Sequence, residues 1–99
     1  MASPYAVKLA PAAIEDIKEA IEWYESRLSA GLSSRFIKQL DDSLIQLSIT
    51  TGKGSVRYKN IRCTLVKKFP YMIHYEINNV SKSIIVYRIF CTFRKPLWE

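Results

Sequence analysis

The chain has little cysteine and a single histidine, and each shortage excludes a kind of chemistry. Its two cysteines, Cys63 and Cys91, are too few for a disulfide scaffold. Both fall in predicted strands with another predicted strand between them, which separates them by about 10 Å, so we expect reduced thiols. His74 is the only histidine, which removes most acid–base schemes and any histidine-rich metal site. We expect a structural or surface role for His74.

Long apolar runs and the common cofactor motifs are also missing. No apolar run approaches the roughly 20 residues of a membrane span, and the N-terminal sequence lacks a secretory signal, so we expect a cytoplasmic protein without membrane contact. No paired carboxylates, phosphate-binding glycine loop or metal-ligand spacing occurs, so we expect neither a cofactor nor a metal. No repeat or linker divides the 99 residues, which predicts a single domain over residues 1–99.

Acidic residues are scarce in the second half of the chain. Residues 53–99 carry ten Lys and Arg against only Glu76 and Glu99, a net charge of +8. Residues 1–52 carry five Lys and Arg against seven acids, a net charge of −2, and the two parts together give the +6 of the whole chain. A short chain with its positive charge on one half favours polyanions or an acidic partner.

Two helices are predicted in the first half by apolar residues that recur every three or four positions. Pro11 suits the first position of the first helix, and Gly31 suits its end. Ser33 or Ser34 is the expected N-terminal cap of the second helix. The apolar stripe of the first helix is Ile14, Ile17, Ile21, Tyr24 and Leu28, and that of the second is Phe36, Leu40, Leu44 and Leu47.

Strands are predicted on either side of this helical hairpin from alternating apolar and β-branched residues. The segments are 4–9, 61–69, 71–77 and 84–90, with a turn at Pro70 and a hairpin loop over 78–83. The order β-α-α-β-β-β predicts an α+β fold in which the helical hairpin packs on one face of a small, mostly antiparallel sheet. Alternation predicts Ile61, Cys63 and Leu65 beneath the helices, and Arg62 and Lys68 on the open face.

Three segments together resemble a known family. They read VKLAPAAIEDIKEAIEWYES from Val7, IRCTLVKKFPYMIHYEI from Ile61 and IIVYRIFCTFRKPLW from Ile84. Their order and spacing resemble the RelE/ParE superfamily of toxins from type II toxin–antitoxin systems, over nearly the whole chain. The most specific element is the run Lys68-Phe69-Pro70-Tyr71. The resemblance implies a small compact fold, a bacterial cytoplasmic setting, inhibition of growth and a cognate antitoxin as partner.

The resemblance leaves the mechanism open. RelE-like members are metal-independent endoribonucleases that cut mRNA on the ribosome, with basic side chains on the open sheet face and a C-terminal Tyr or His. ParE-like members poison DNA gyrase and lack that set. Where many relatives read Phe-His-Thr-Ser-Arg-Asn-Pro, this chain has Cys91 in place of the His and keeps the Arg as Arg94. The missing His favours a ParE-like toxin that acts on gyrase or another target.

The basic residues of the second half are the candidate site. If the chain is a nuclease, Arg62 and Arg94 are the expected stabilisers of the charge that develops on the phosphate. The residues expected to bind the target or the antitoxin are Lys59, Arg62, Lys68, Arg94, Lys95 and Trp98. An acidic antitoxin can add a strand or lay a helix across a basic sheet face. A solvated basic surface, or a non-toxic homologue that only binds a partner or nucleic acid, is the alternative.

Overall fold

A computed structural model describes residues 5–27, 31–49, 55–58 and 60–92 of the chain. The elements follow in the order β1 (Ala6–Leu9), α1 (Pro11–Arg27), α2 (Leu32–Ile49), β2 (Ser55–Tyr58), β3 (Ile61–Leu65), β4 (Tyr71–Asn78) and β5 (Ser83–Cys91). The predicted α+β fold with its helical hairpin is confirmed, and one strand, β2, is added to it. None of the helices among these residues is long and apolar enough to cross a membrane.

The two helices begin where local chemistry favours it, but the cap of α2 differs from the expected one. Pro11 opens α1, as predicted. The carbonyl of Gly31 accepts the hydrogen bond of Arg35 N–H at 3.0 Å, so Gly31 caps α2, and Ser33 and Ser34 lie inside its first turn. Gly31 has a φ of +90°, which other residues rarely adopt, so its position between two helices suits glycine.

The sheet is mixed, with the strand order β1-β5-β4-β3-β2. β1 runs parallel to β5, and the other three pairs are antiparallel. β2 was not predicted because it has only four residues and follows a glycine-containing segment that reads as a helix end. It pairs with β3 at the edge of the sheet, so the fold has five strands where the sequence predicts four.

One apolar core lies between the helices and the sheet. The predicted stripes face it within the described residues, except that Ile14 is 41% exposed; Leu28 lies outside the described residues. The rings of Tyr24 and Phe36 pack on each other with centroids 5.5 Å apart, and both pack against Tyr71. The buried residues of the core are Ala13, Ala20, Tyr24, Phe36, Leu40, Leu47, Val66, Tyr71, Ile73, Tyr75, Ile84, Val86 and Ile89.

The predicted faces of β3 are wrong. Arg62 lies opposite Tyr75, and Thr64 lies opposite Ile73. Directly opposed residues of an antiparallel pair share a face, and both Tyr75 and Ile73 are 0% exposed in the core. Arg62 therefore lies on the helix side of the sheet, not on the open face.

The residues expected beneath the helices lie on the other side of the sheet, called the outer face below. Cys63 is opposite His74, and Leu65 is opposite Met72. β4 crosses the middle of the sheet and sets both faces, while the helices contact mainly β5 and β1. The side chains of β3 alternate between the two faces as predicted. The pairing of β3 with β4 decides which of the two alternating sets of side chains lies under the helices.

The turn between β3 and β4 is tight, as Pro70 predicts. The N–H of Val66 donates to the carbonyl of Tyr71 at 2.9 Å, and the N–H of Phe69 donates to the carbonyl of Val66 at 3.3 Å. Lys68 has a φ of 69°, in the left-handed region of backbone conformation that residues other than glycine and asparagine rarely adopt.

The hairpin loop between β4 and β5 lies within the predicted segment 78–83 and is one residue shorter at each end. The side-chain Oδ1 of Asn78 accepts hydrogen bonds from the N–H groups of Val80 and Ser81, each at 3.0 Å, which is a turn typical of asparagine. Lys82 closes the loop with a φ of 54°. Both hairpins of β4 therefore contain one lysine with left-handed backbone.

The two cysteines occupy strands separated by β4, as expected. Both are thiols, and Cys63 is buried while Cys91 is partly buried. Cys63 lies opposite His74 on the outer face, whereas Cys91 lies opposite Tyr71 and packs against the core. Two thiols on opposite faces of non-adjacent strands cannot form a bond without rearrangement of the sheet.

Candidate binding surface and the cluster behind it

Two of the six candidate binding residues lie within the described part of the chain. These are Arg62 and Lys68; the other four, Lys59, Arg94, Lys95 and Trp98, lie outside the described residues. Arg62 is partly buried near the start of β3, and Lys68 is exposed in the turn after its end. At about 3.3 Å of strand per residue, the length of β3 separates them. The two residues therefore do not form one compact cluster.

His74 is buried in the outer face and is not a surface histidine. It is 1% exposed, and its Nδ1 lies 3.6 Å from the Sγ of Cys63. The ring of Phe90 packs edge-on against it at a centroid distance of 5.5 Å. Burial, and secondly the positive charge of Arg88, lower the pKa of His74, with a smaller opposite effect of Asp16. His74 is therefore neutral at physiological pH and has a structural role.

A buried carboxylate joins α1 to β5. Asp16 is 6% exposed, and its two oxygens accept hydrogen bonds from Arg88 Nε at 2.7 Å and Arg88 Nη2 at 3.0 Å. The same carboxylate accepts the backbone N–H of Ile89 at 2.9 Å. The pairing of β4 with β5 shifts by one residue just before this point, after Val86. Asp16 therefore satisfies the backbone of an irregular stretch of strand.

Tyr87 and Glu76 form a second polar pair, between neighbouring strands. The hydroxyl of Tyr87 donates to Glu76 Oε1 at 2.8 Å. This hydrogen bond, with burial and the carboxylate charge as smaller causes, raises the pKa of Tyr87. Glu76 follows Tyr75 on β4, so it points to the face opposite to Arg62, whose partner is Tyr75. Glu76 is therefore not the carboxylate base beside Arg62 that one register of the sheet would have allowed.

A groove of about 670 Å³ opens between α1 and the adjoining ends of β4 and β5. Its rim includes Glu19, Glu22 and the half-exposed Trp23, and its floor includes Tyr24 and Tyr71. Burial raises the pKa of Tyr24, so its phenol stays protonated at neutral pH. The acidic rim repels phosphate groups, which disfavours the binding of nucleic acid in this groove.

The described residues provide little catalytic chemistry. Among them, no three His, Cys, Asp or Glu side chains are placed to hold a metal ion. The only histidine is buried, and the hydroxyl of Tyr87 donates a hydrogen bond to a carboxylate. What these residues do offer is a basic turn, Lys67–Lys68, and an outer face that mixes apolar and polar side chains.

The apolar residues of the outer face were not predicted from the sequence. Leu65, Met72 and Phe90 lie opposite one another across three strands. The four residues between Val66 and Tyr71 already predict that these two pair across the turn. One residue further from the turn on each strand, Leu65 then pairs with Met72. The hairpin sequence therefore already predicts this apolar pair.

The chain belongs to the ParE toxins of type II toxin–antitoxin systems: the model of the family described as "ParE toxin of type II toxin-antitoxin system, parDE" matches residues 7–96. This confirms the membership in the RelE/ParE superfamily that the sequence motifs indicate. No curated protein matches the chain.

Solved structures of toxins from this superfamily share the fold. The chromosomal ParDE system of P. aeruginosa matches with a TM-score of 0.73 and 14% identity, over 86% of this chain and 92% of that chain. The RelBE2 toxin–antitoxin complex of Mycobacterium tuberculosis matches with a TM-score of 0.62 and 17% identity, over 92% and 94%. The isolated E. coli RelE toxin matches with a TM-score of 0.57 and 12% identity, over 95% and 90%.

Proposed function

We propose that this chain is a cytoplasmic toxin that inhibits growth when free, is neutralised by a cognate antitoxin, and acts on DNA gyrase or another target without cutting RNA. The match to the ParE toxin family over residues 7–96 supports the toxin role. Several of the similar structures are of toxin–antitoxin systems or complexes, which supports an antitoxin as partner. The excess of positive charge in residues 53–99 suits an acidic protein.

The observation that carries the mechanism is that none of Glu76, His74 and Tyr87 is placed as a proton acceptor beside Arg62. Cleavage of RNA through its 2′-hydroxyl needs a group that accepts a proton next to a cation that stabilises the phosphate. Glu76 points to the opposite face from Arg62, and His74 is buried with a lowered pKa. Tyr87 holds its proton in a hydrogen bond to Glu76. These residues support a ParE-like toxin over a nuclease.

A ribosome-dependent endoribonuclease is the second candidate. The basic turn Lys67–Lys68 and the partly buried Arg62 can contact phosphate, and the likeness to RelE structures supports the fold that such an enzyme needs. In this alternative Arg62 and Arg94 stabilise the transition state, as expected from the sequence. A non-toxic homologue that only binds a partner is the third candidate.

Growth on induction tests the toxin role. We expect expression of this chain alone in a bacterial host to stop growth, and co-expression of the protein from the adjacent reading frame to restore it. The same plasmid with an early stop codon in the chain is the control. Unimpaired growth with abundant soluble chain would favour the non-toxic homologue.

The target is tested by comparing RNA and DNA damage in the same cells. A ParE-like toxin should leave transcripts intact, disturb DNA supercoiling and induce the DNA-damage response. A nuclease should instead cut transcripts at codon positions, and Arg62→Ala should reduce the cutting by about a hundredfold or more. Reproducible cuts within translated codons that Arg62→Ala abolishes would overturn the ParE-like mechanism.

A further inference from the structure

A strip of apolar side chains crosses three strands of the outer face. Leu65 of β3 lies opposite Met72 of β4, and Met72 lies opposite Phe90 of β5. Opposed side chains on one face of a sheet are close enough to touch, so the three form a continuous row. Met72 and Phe90 are partly buried, whereas Leu65 is 57% exposed. The β3 end of this apolar strip therefore faces solvent.

Positive charge lies beside the exposed end of the apolar strip. The turn between β3 and β4 is closed by the hydrogen bond between Val66 and Tyr71, and Leu65 and Met72 are the next pair along the two strands. The turn itself presents Lys67 and Lys68, both exposed. Among the described residues, neither lysine forms an ion pair. A strip of apolar surface next to two available ammonium groups fits an amphipathic segment with carboxylates along one side.

We propose that the apolar strip and the Lys67–Lys68 turn form the docking site for an acidic, amphipathic segment of the cognate antitoxin. The proposal rests on the proposed function, because that function supplies the partner. Apolar side chains of the segment cover Leu65 and Met72, and its carboxylates pair with the two lysines. The lysines contribute mostly to the rate of association, and the apolar contact to the lifetime of the complex.

Nucleic acid fits this surface less well. Single strands bind to exposed aromatic faces on which bases stack. Phe90 is the only aromatic residue of the strip. The guanidinium of Arg88 lies over its ring, with Cζ 4.2 Å from the ring centroid, and the ring of His74 packs against it edge-on. Leu65 and Met72 offer nothing to a phosphate backbone.

A second copy of the chain also fits poorly. In a twofold symmetric interface the same residues meet each other, so the strip would place Lys67 and Lys68 of one copy near those of the other. Four ammonium groups at one small interface repel each other. An acidic partner is the occupant that satisfies both the apolar strip and the charge.

The opposite end of the sheet provides matched controls. Val80 in the loop between β4 and β5 is 96% exposed, and Lys82 closes that loop with a φ of 54°, close to the 69° of Lys68. This loop therefore has an exposed aliphatic residue and a left-handed lysine, as the Lys67–Lys68 turn does. It lacks the apolar strip beside them. Equivalent changes at the two ends separate docking from general effects of charge.

The test measures binding of the purified protein from the adjacent reading frame by calorimetry. We expect Leu65→Asp to weaken binding about 10- to 100-fold, since it places an unpaired charge in the apolar contact. Lys68→Glu should weaken it about 5- to 10-fold and reduce its salt dependence. Val80→Asp and Lys82→Glu should each change the affinity less than about twofold. Circular dichroism of all four variants checks that they are folded.

Several results would overturn the proposal. The first is that folded Leu65→Asp binds the adjacent-frame protein with the same affinity as the unmodified chain. The second is that the variants at the two ends of the sheet lose the same amount of affinity. The third is that no adjacent-frame protein exists or that it does not bind. Loss of binding to a short mixed-sequence DNA or RNA with unchanged protein binding would assign the surface to nucleic acid instead. Light scattering that shows a dimer broken by Leu65→Asp would assign it to a second copy.

The docking site and the proposed function fail separately. If the unmodified chain stops growth but Leu65→Asp binds the adjacent-frame protein normally, the docking site is wrong and the toxin role remains. If the unmodified chain binds that protein through the strip without any effect on growth, the toxin role is wrong and the docking site remains.

Discussion

The two faces of the sheet are built differently. On the helix side, Ile73, Tyr75, Ile84 and Val86 are 0% exposed and pack against apolar side chains of both helices. On the outer face, apolar residues alternate with polar ones that are satisfied pairwise, such as Tyr87 with Glu76. The helix side therefore supplies most of the stability. The outer face can vary in sequence at lower cost, which makes it the face on which specificity can develop.

The largest expected difference between the faces is in the effect of truncating an aliphatic residue. Ile73→Ala removes a side chain that is 0% exposed and should lower the free energy of unfolding by about 3–4 kcal/mol. Leu65→Ala on the outer face removes a side chain that is 57% exposed and should lower it by less than about 1 kcal/mol. Urea unfolding measures both. Similar losses would mean that the outer face is as closely packed as the core.

Asp16 is the one acid of α1 whose removal should matter. Asp16→Ala leaves Arg88 and the N–H of Ile89 without their acceptor, and should lower the free energy of unfolding by about 2–3 kcal/mol, since Arg88 keeps some contact with water. Glu15→Ala is the matched control, because its contact with Lys18 at 3.5 Å is exposed, and we expect a change below about 0.5 kcal/mol. A harmless Asp16→Ala would show that the ion pair adds no stability.

The outer face should respond to acid through His74. Its pKa is lowered in the folded state, whereas in the unfolded chain it is about 6.5. Below that pH the unfolded state binds the proton first, so the free energy of unfolding falls with a limiting slope of about 1.4 kcal/mol per pH unit until the folded pKa is reached. Above about pH 7 the effect is absent.

His74→Gln isolates this contribution from the carboxylates, which titrate in both proteins. The difference in stability between the two proteins should change with pH below about 6.5 and be constant above about pH 7. Denaturant titrations over a pH series measure it. A constant difference throughout would show that His74 has the same pKa in both states.

The smallest expected effects distinguish the two hairpins of β4. Lys68→Gly relieves a left-handed φ of 69° and should raise the free energy of unfolding by about 0.5 kcal/mol. Lys82→Gly relieves a φ of 54° but also removes the ammonium that lies 5.5 Å from the ring centroid of Tyr5, so a smaller gain is expected. Thermal unfolding compares them. Lys67→Gly, which has no left-handed backbone to relieve, should instead be slightly destabilising.

The sequence predicted the elements better than their arrangement. The bounds of β4 and β5 differ from the predicted ones by a single residue at each affected end. Pro11, and the loop that begins at Asn78, lie where they were expected because their effects act over a few neighbouring residues. The apolar stripe of α2 packs on the core for the same reason, because a period of 3.6 residues can be read without knowing the partner surface.

The candidate site was predicted less completely. Arg62 and Lys68 were expected on the open face, but the predicted face of Arg62 was wrong. Their role in binding stays a prediction. Asp16 gave no signal, because an acid near the start of a helix reads as a partner of the helix dipole. Its real partners, Arg88 and the backbone of Ile89, lie more than 70 residues away in the sequence.

By itself the sequence determined the helical hairpin, the main strands, the concentration of positive charge in the second half and the motifs of the toxin family. Each of these follows from spacing or composition along the chain. Only the tertiary structure decided which face of β3 meets the helices, that His74 is buried, and that Leu65 and Met72 lie together beside the Lys67–Lys68 turn. Strand register and burial belong to pairs of segments, so no single segment's pattern can specify them.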